Sequence, residues 1–139
     1  MKSVLQIVLT AGLGLSLALA GCAQESPTEA APALSNIRDI SVADANALLT
    51  GEDGAVVLDV RTAAEFDAGH IDGAVNADFL ADDFVSAIAD LDRDTTYILH
   101  CKSGSRSTRA LEVLKEEGFT SVAHLTDGYD GWKAAQEAE

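Results

Sequence analysis

One stretch constrains this chain more than any other: Tyr97-Ile98-Leu99-His100-Cys101-Lys102-Ser103-Gly104-Ser105-Arg106-Ser107-Thr108-Arg109. It starts as a short apolar run of the buried-strand kind and passes through one cysteine into a loop of small residues. A helical pattern then runs to about Glu117. A thiol at the C-terminal end of a strand, facing the first turn of a helix, stands where open α/β sheets place their ligands. The first N–H groups of that helix have no helical partner, and the helix dipole adds partial positive charge. Such surroundings favour thiolate and lower a cysteine pKa from about 8.5 toward roughly 3.5–7.5. Lys102, Arg106 and Arg109 supply three of only nine basic residues in the whole chain, all beside this thiol. Cys101 is therefore the expected nucleophile rather than one more buried apolar cysteine.

The rest of the sequence alternates strand and helix signals around that stretch. Ile37–Ile40 reads as a strand, and Ser41 with Asp44 three residues on opens a helix through Leu49. Val56-Val57-Leu58 is a continuous apolar strand leading to Asp59-Val60-Arg61. Thr62 caps a short helix closed by Gly69; residues 73–76 lead a third strand, and Asp82 to Ala89 a further helix. After the cysteine loop and its helix come a last strand, Val122–Leu125, and a last helix, Trp132 to Ala138. Strands alternating with helices predict an α/β domain, a parallel five-stranded sheet with helices on both faces, over residues 36–139. Asp59 and Arg61, at a strand end, are expected to tie loops together as structural support. His70 suits a turn, His100 and His124 a strand end or the core, and Tyr129 and Trp132 packing, with Trp132 placed to line a mouth. Dispersed histidines make no metal site and there is no Gly-rich nucleotide loop, so no metal or cofactor is expected.

The N-terminus belongs to a different physical regime. Lys2 precedes an apolar run ending in small residues at Ala20, a secretory leader over residues 1–21 in preference to a membrane span. Leu19-Ala20-Gly21-Cys22 resembles the lipobox of bacterial lipoproteins. That resemblance implies lipid on Cys22, export, and a membrane anchor facing the periplasm. Ala23 after the cysteine resembles outer-membrane sorting. Residues 22–35 hold both prolines and read as the lipidated end and a flexible tether, with a coil span on the order of 20 Å. With Cys22 lipidated, Cys101 is a solitary thiol in an oxidising compartment, which suggests that it is used. The net charge of −14 argues against nucleic acid as a partner, and a domain of this size is expected to be a monomer.

Several motifs, in order, resemble the rhodanese domain. Leu58-Asp59-Val60-Arg61, Glu65-Phe66, Gly69-His70-Ile71, Gly73-Ala74 and Asn76 look like its first signature. Cys101-Lys102-Ser103-Gly104-Ser105-Arg106-Ser107 looks like its active-site loop, and Gly128 with Trp132 like its C-terminal signature. Asp127 stands where the family usually has the first of two glycines, and the turn is expected to survive because Asp tolerates left-handed backbone. The resemblance implies a sulfurtransferase: Cys101 takes a sulfane sulfur from thiosulfate or a similar anion as a persulfide and passes it to cyanide or a thiol. The loop from Lys102 through Ser103, Gly104, Ser105, Arg106 and Ser107 would hold the donor and the sulfur anion. Arg106 either binds the donor or braces the loop through carbonyls, and Arg109 reads as a surface or scaffold residue. Two other readings remain: a rhodanese-like carrier or binding module that turns over little, and a cysteine phosphatase or arsenate reductase. Only four residues separate Cys101 from Arg106, a loop short for a tetrahedral phosphate.

Overall fold

The computed structural model describes residues 35–52 and 54–138. The leader, Cys22 and the tether up to residue 34 lie outside the described residues. Ten elements follow in alternation: β1 Asn36–Ile40, α1 Val42–Thr50, β2 Val56–Asp59, α2 Ala63–Asp67, β3 Val75–Asn76, α3 Phe84–Ile88, β4 Tyr97–His100, α4 Ser105–Glu116, β5 Ser121–Leu125 and α5 Gly128–Glu137. The five strands form one sheet in the order β1-β5-β4-β2-β3, with every neighbouring pair parallel. Among the described residues no helix is long and apolar enough to cross a membrane.

The sheet is apolar on both faces, so it has to be covered twice. Because side chains alternate along a strand, Tyr97, Leu99 and Cys101 turn to one face and join Phe84, Ile88, Ala110, Leu111 and Leu114 of α3 and α4. Ile98 turns to the other face with Val57, Ala123 and Leu125, under Ala45, Leu48 and Leu49 of α1 and Tyr129 and Trp132 of α5. The apolar positions of α4 recur at helical spacing, which fixes the face that it buries and leaves Arg109 and Glu112 outward. Arg109 lays its guanidinium over the Phe79 ring, 5.1 Å from the centroid. Capping boxes start α1 and α2: Ser41 with Asp44, and Thr62 with Glu65.

Three elements start two or more residues from the position read in the sequence, each for a tertiary reason. The third strand is only Val75–Asn76, because it pairs with Leu58 and Asp59 alone, at the sheet edge. The third helix begins at Phe84 rather than Asp82, after a turn closed by the Phe84 N–H on the Ala81 carbonyl. The last helix begins at Gly128, four residues before Trp132. Its first N–H groups are not left open: Tyr129 N donates to Cys101 O at 2.8 Å and Asp130 N to Lys102 O at 3.0 Å. Docking on the cysteine loop supplies the partners that local sequence lacks. Asp127 keeps ordinary right-handed backbone at φ −73, and the left-handed residue is Gly128 at φ 64. The turn survives because its first position makes no left-handed demand, not because Asp tolerates one.

Candidate active site

Cys101 follows the last residue of β4, at the C-terminal edge of the sheet, with 1% of its surface exposed. The next three residues reverse the chain into α4, whose N-cap is Gly104 at φ 92 with no side-chain cap. A Cβ at Gly104 would sit 2.4 Å from Thr126 O, so only glycine lets the loop lie this close to the end of β5. Lacking a side-chain cap, the start of the helix turns its donors on the sulfur. The N–H groups of Ser103, Arg106 and Ser107 favour the anion at Cys101 Sγ, and Ser107 Oγ lies 3.5 Å from it. Burial by itself pushes the thiol up. The hydrogen bonds of Ser107 Oγ and of the N–H groups of Ser107, Ser103 and Arg106 together outweigh it, leaving the thiol below its ordinary pKa.

The carbonyl of the same residue is held as firmly. Cys101 O accepts from Tyr129 N, and His100 Nδ1 lies 2.9 Å from it. Burial holds His100 below its ordinary pKa against the opposing pull of Asp59, so the ring is neutral and donates through Nδ1. Its Nε2 is left without a hydrogen-bond partner, 3.7 Å from Asp59 Oδ2.

Asp59 and Arg61 build the neighbouring wall. Arg61 Nε and Nη2 grip the Asp59 carboxylate at 2.9 and 2.6 Å, and Nη2 also donates to Gly69 O at 2.8 Å. The guanidinium plane lies 4.0 Å from the centroid of the Tyr129 ring. Asn76 Nδ2 donates to both Asp59 O and Arg61 O. These contacts tie the ends of β2, α2, β3 and α5 around an open cleft of about 270 Å³ whose lining includes Arg61, Glu65, Lys102, Tyr129 and Lys133. Lys102 is exposed at its edge, and Ser103 and Ser105 are exposed on the same loop.

Arg106 braces the loop, through a carboxylate rather than through carbonyls. Its Nη1 and Nη2 donate to Glu65 Oε2 and Oε1 at 2.6 and 2.8 Å, a bidentate clasp between α4 and α2. Glu65 Oε2 also accepts from Thr62 N and Oγ1, so one carboxylate both caps α2 and anchors the cysteine loop. The bonds from Arg106, ahead of those from Thr62, bring Glu65 from 4.5 down to about 2. A depressed carboxyl pKa contributes stability that is present above about 4.5 and is lost as the pH falls toward 2. Glu65→Gln is expected to lower stability at pH 7 by about 1 kcal/mol, since the pair is part-exposed. The variant should also lose less stability than the parent between pH 5 and pH 3 (roughly the window of carboxylate protonation). Urea midpoints at the two ends of that range check both.

A model of the rhodanese-like domain family matches residues 41–135. The chain belongs to the rhodanese-like domain family. It is 39% identical over 89 residues to the thiosulfate sulfurtransferase GlpE of Pseudomonas fluorescens, covering 63% of this chain and 79% of that protein. It is 38% identical over 76 residues to the probable adenylyltransferase/sulfurtransferase MoeZ of Mycobacterium tuberculosis, 55% of this chain but only 19% of the much longer relative. Among solved structures, the rhodanese-like domain of an Anabaena sp. protein aligns at a TM-score of 0.63 with 25% identity, over 70% of this chain and 74% of that one. A rhodanese-like domain protein from Staphylococcus aureus shares the fold at a TM-score of 0.62 and 22% identity, over 68% and 90%.

Within this rhodanese-like fold, Cys101, Gly104 and Ser107 converge on one buried point, whereas Lys102, Ser103 and Ser105 present their side chains outward. Glu65, Tyr129, Lys133 and His124 join the site or its support without having been singled out as site residues in the sequence. Glu65 had a legible signal, the capping box Thr62-x-x-Glu65. The placement of His124 beside Ser107 had none, because they lie 17 positions apart in the chain. Among the described residues no group of three or more His, Cys, Asp or Glu is placed to hold a metal.

Proposed function

We propose that this protein is a thiosulfate-type sulfurtransferase with Cys101 as its nucleophile. One observation carries the reading: a buried cysteine sulfur at the start of α4, with the Ser107 hydroxyl 3.5 Å away and backbone N–H groups that hold its thiol below the ordinary pKa. In the first step the Cys101 thiolate attacks the outer sulfur of thiosulfate. An S–S bond forms to Cys101, the donor's S–S bond breaks, and sulfite leaves with the electron pair. The product persulfide carries one negative charge, as the thiolate did, so the same N–H groups serve both states. In the second step cyanide or a thiolate takes the outer sulfur and the Cys101 thiolate returns, a ping-pong cycle. Lys102 at the cleft edge, with Lys133 and the Arg61 wall, draws the anionic donor toward the loop. The commitment of Arg106 to Glu65 favours this chemistry over phosphoryl transfer, since the guanidinium is not turned to an oxyanion in the loop. Intact mass spectrometry of the full chain after thiosulfate tests the reading. One added sulfur, removed by cyanide, is expected; no added sulfur overturns thiosulfate as donor, and sulfur that cyanide leaves in place overturns turnover in favour of a carrier.

We also propose that lipid on Cys22 anchors the domain to a membrane on its periplasmic side, on the resemblance of Leu19-Ala20-Gly21-Cys22 to a lipobox. Cys22→Ser is expected to move the protein out of the membrane fraction, and persistence there would sink the anchor.

A further inference from the structure

The cradle explains what stabilises a sulfur anion but not where the thiol proton goes. Ser107, in the first turn of α4, is fully buried, and its Oγ has three neighbours: Cys101 Sγ at 3.5 Å, Gly104 O at 2.9 Å and His124 Nε2 at 2.9 Å. A hydroxyl has one proton to give, so these three compete for it. His124 is buried on β5, and its Nδ1 lies 2.9 Å from Asp39 Oδ1 on the adjacent strand β1. Asp39 and His124 are register partners in the sheet, so the contact is built into the strand pairing. The Asp39 side chain is 72% exposed. A carboxylate accepts, so the Asp39 contact is one that a proton on Nδ1 satisfies, and that tautomer turns Nε2 toward Ser107 as an acceptor. Four side chains thus make one unbroken chain from the reactive sulfur to solvent: Cys101, Ser107, His124, Asp39.

We propose that His124, acting through Ser107 and held by Asp39, takes the proton of the Cys101 thiol and stores it as an imidazolium while the sulfur is a thiolate or persulfide. The Cys101 S–H bond breaks as an O–H bond forms on Ser107, and the original Ser107 O–H bond breaks as an N–H bond forms at His124 Nε2. A neutral pair becomes a thiolate and an imidazolium, with no change in total charge. The Ser107 hydroxyl, now accepting from Nε2, is free to donate to the sulfur. Ser107 touches the reacting atom; His124 and Asp39 act through it and are positioning residues. The proposal rests on Cys101 being the nucleophile and adds the base that prepares it. Among the described residues, the charged groups in contact with the chain or coupled to it include Asp39 from β1 at its far end and Arg106 from α4, whose charge bears on Cys101.

The test is the pH profile of Cys101 alkylation by iodoacetamide in the full chain, with Cys22 accounted for by peptide mapping. His124→Gln can still bond to Ser107 but cannot hold the proton. Its alkylation rate at pH 7 is expected to fall about tenfold, equivalent to a midpoint about one unit higher. The rate should converge with the parent's at high pH, where the thiol ionises without help. Asp39→Asn, at an exposed side chain that leaves folding unthreatened, should shift the profile the same way by about two- to fivefold. A parental profile in folded His124→Gln overturns the relay, and so does a uniform slowing at every pH, the mark of a merely structural role. If His124→Gln does not fold, a parental profile in Asp39→Asn overturns it. Persulfide mass measured alongside separates the two ideas. Sulfur uptake with an unshifted profile sinks only the relay, whereas a shifted profile without uptake sinks only the donor reading.

Discussion

Cys101→Ser is expected to leave the fold intact and to cut thiosulfate-dependent sulfur transfer by a factor on the order of 10³ or more. The hydroxyl is smaller than the thiol, so the Ser103, Arg106 and Ser107 N–H groups can still be met in part. A serine hydroxyl, however, does not ionise at neutral pH, and an oxygen–sulfur bond is a poor substitute for a persulfide that must be cleaved again. The cradle and the cleft remain, and without a nucleophile they can bind the donor but not split it. Thermal melting and thiocyanate production from thiosulfate and cyanide, measured on the same sample, check both halves. Turnover within tenfold of the parent (roughly one pKa unit of barrier) would remove Cys101 from the mechanism.

Gly128→Ala is expected to have the largest effect of any substitution that leaves every ionisable group in place. Gly128 has φ +64, and a Cβ there would lie 2.4 Å from Lys102 O, 2.6 Å from its carbonyl carbon and 2.7 Å from Ser103 N. Those atoms are backbone of the cysteine loop, and they cannot swing aside as a flexible side chain would. Left-handed strain costs roughly 1 kcal/mol and overpacking a further 1–3 kcal/mol or so. A total loss of about 3 kcal/mol is therefore the expected size. Pushing the loop away also breaks the bonds from Tyr129 and Asp130 to the Cys101 and Lys102 carbonyls. Because the reaction depends on sulfur placement, activity should fall by about 10²-fold even in the folded fraction. Gly73→Ala is the control: its φ is +76, but nothing lies within 4 Å of the added Cβ. It should show the strain cost alone, about 1 kcal/mol, with unchanged sulfur transfer. If urea unfolding finds the two alanine variants equal, the close approach at Gly128 has no energetic weight.

Much of the fold was legible because its signals are local. Val56-Val57-Leu58 and Tyr97-Ile98-Leu99 announce buried parallel strands by unbroken apolarity, and they pair in register as β2 and β4. Thr62 and Glu65 announce a helix start, and Gly118 a helix end, because capping is satisfied within a few residues. The start of α5 was not legible. A Gly-Tyr-Asp-Gly run carries little helix propensity, and its first turn is held by carbonyls of a loop more than twenty residues earlier in the chain.

The place of Cys101, between a buried strand and a helix start, was legible in the sequence alone. A thiol between a buried strand and the first turn of a helix lies beside N–H groups that have no helical partner, and both elements are announced by local pattern. The partners of that loop were decided by tertiary structure. Arg106 finds Glu65 across 41 residues, and His124 finds Ser107 on one side and Asp39, 85 residues away, on the other. Charge and hydrogen-bonding capacity are properties of a residue, but their satisfaction depends on strand order. Only the placement of β5 between β1 and β4 puts His124 between a carboxylate at the surface and the serine beside the sulfur.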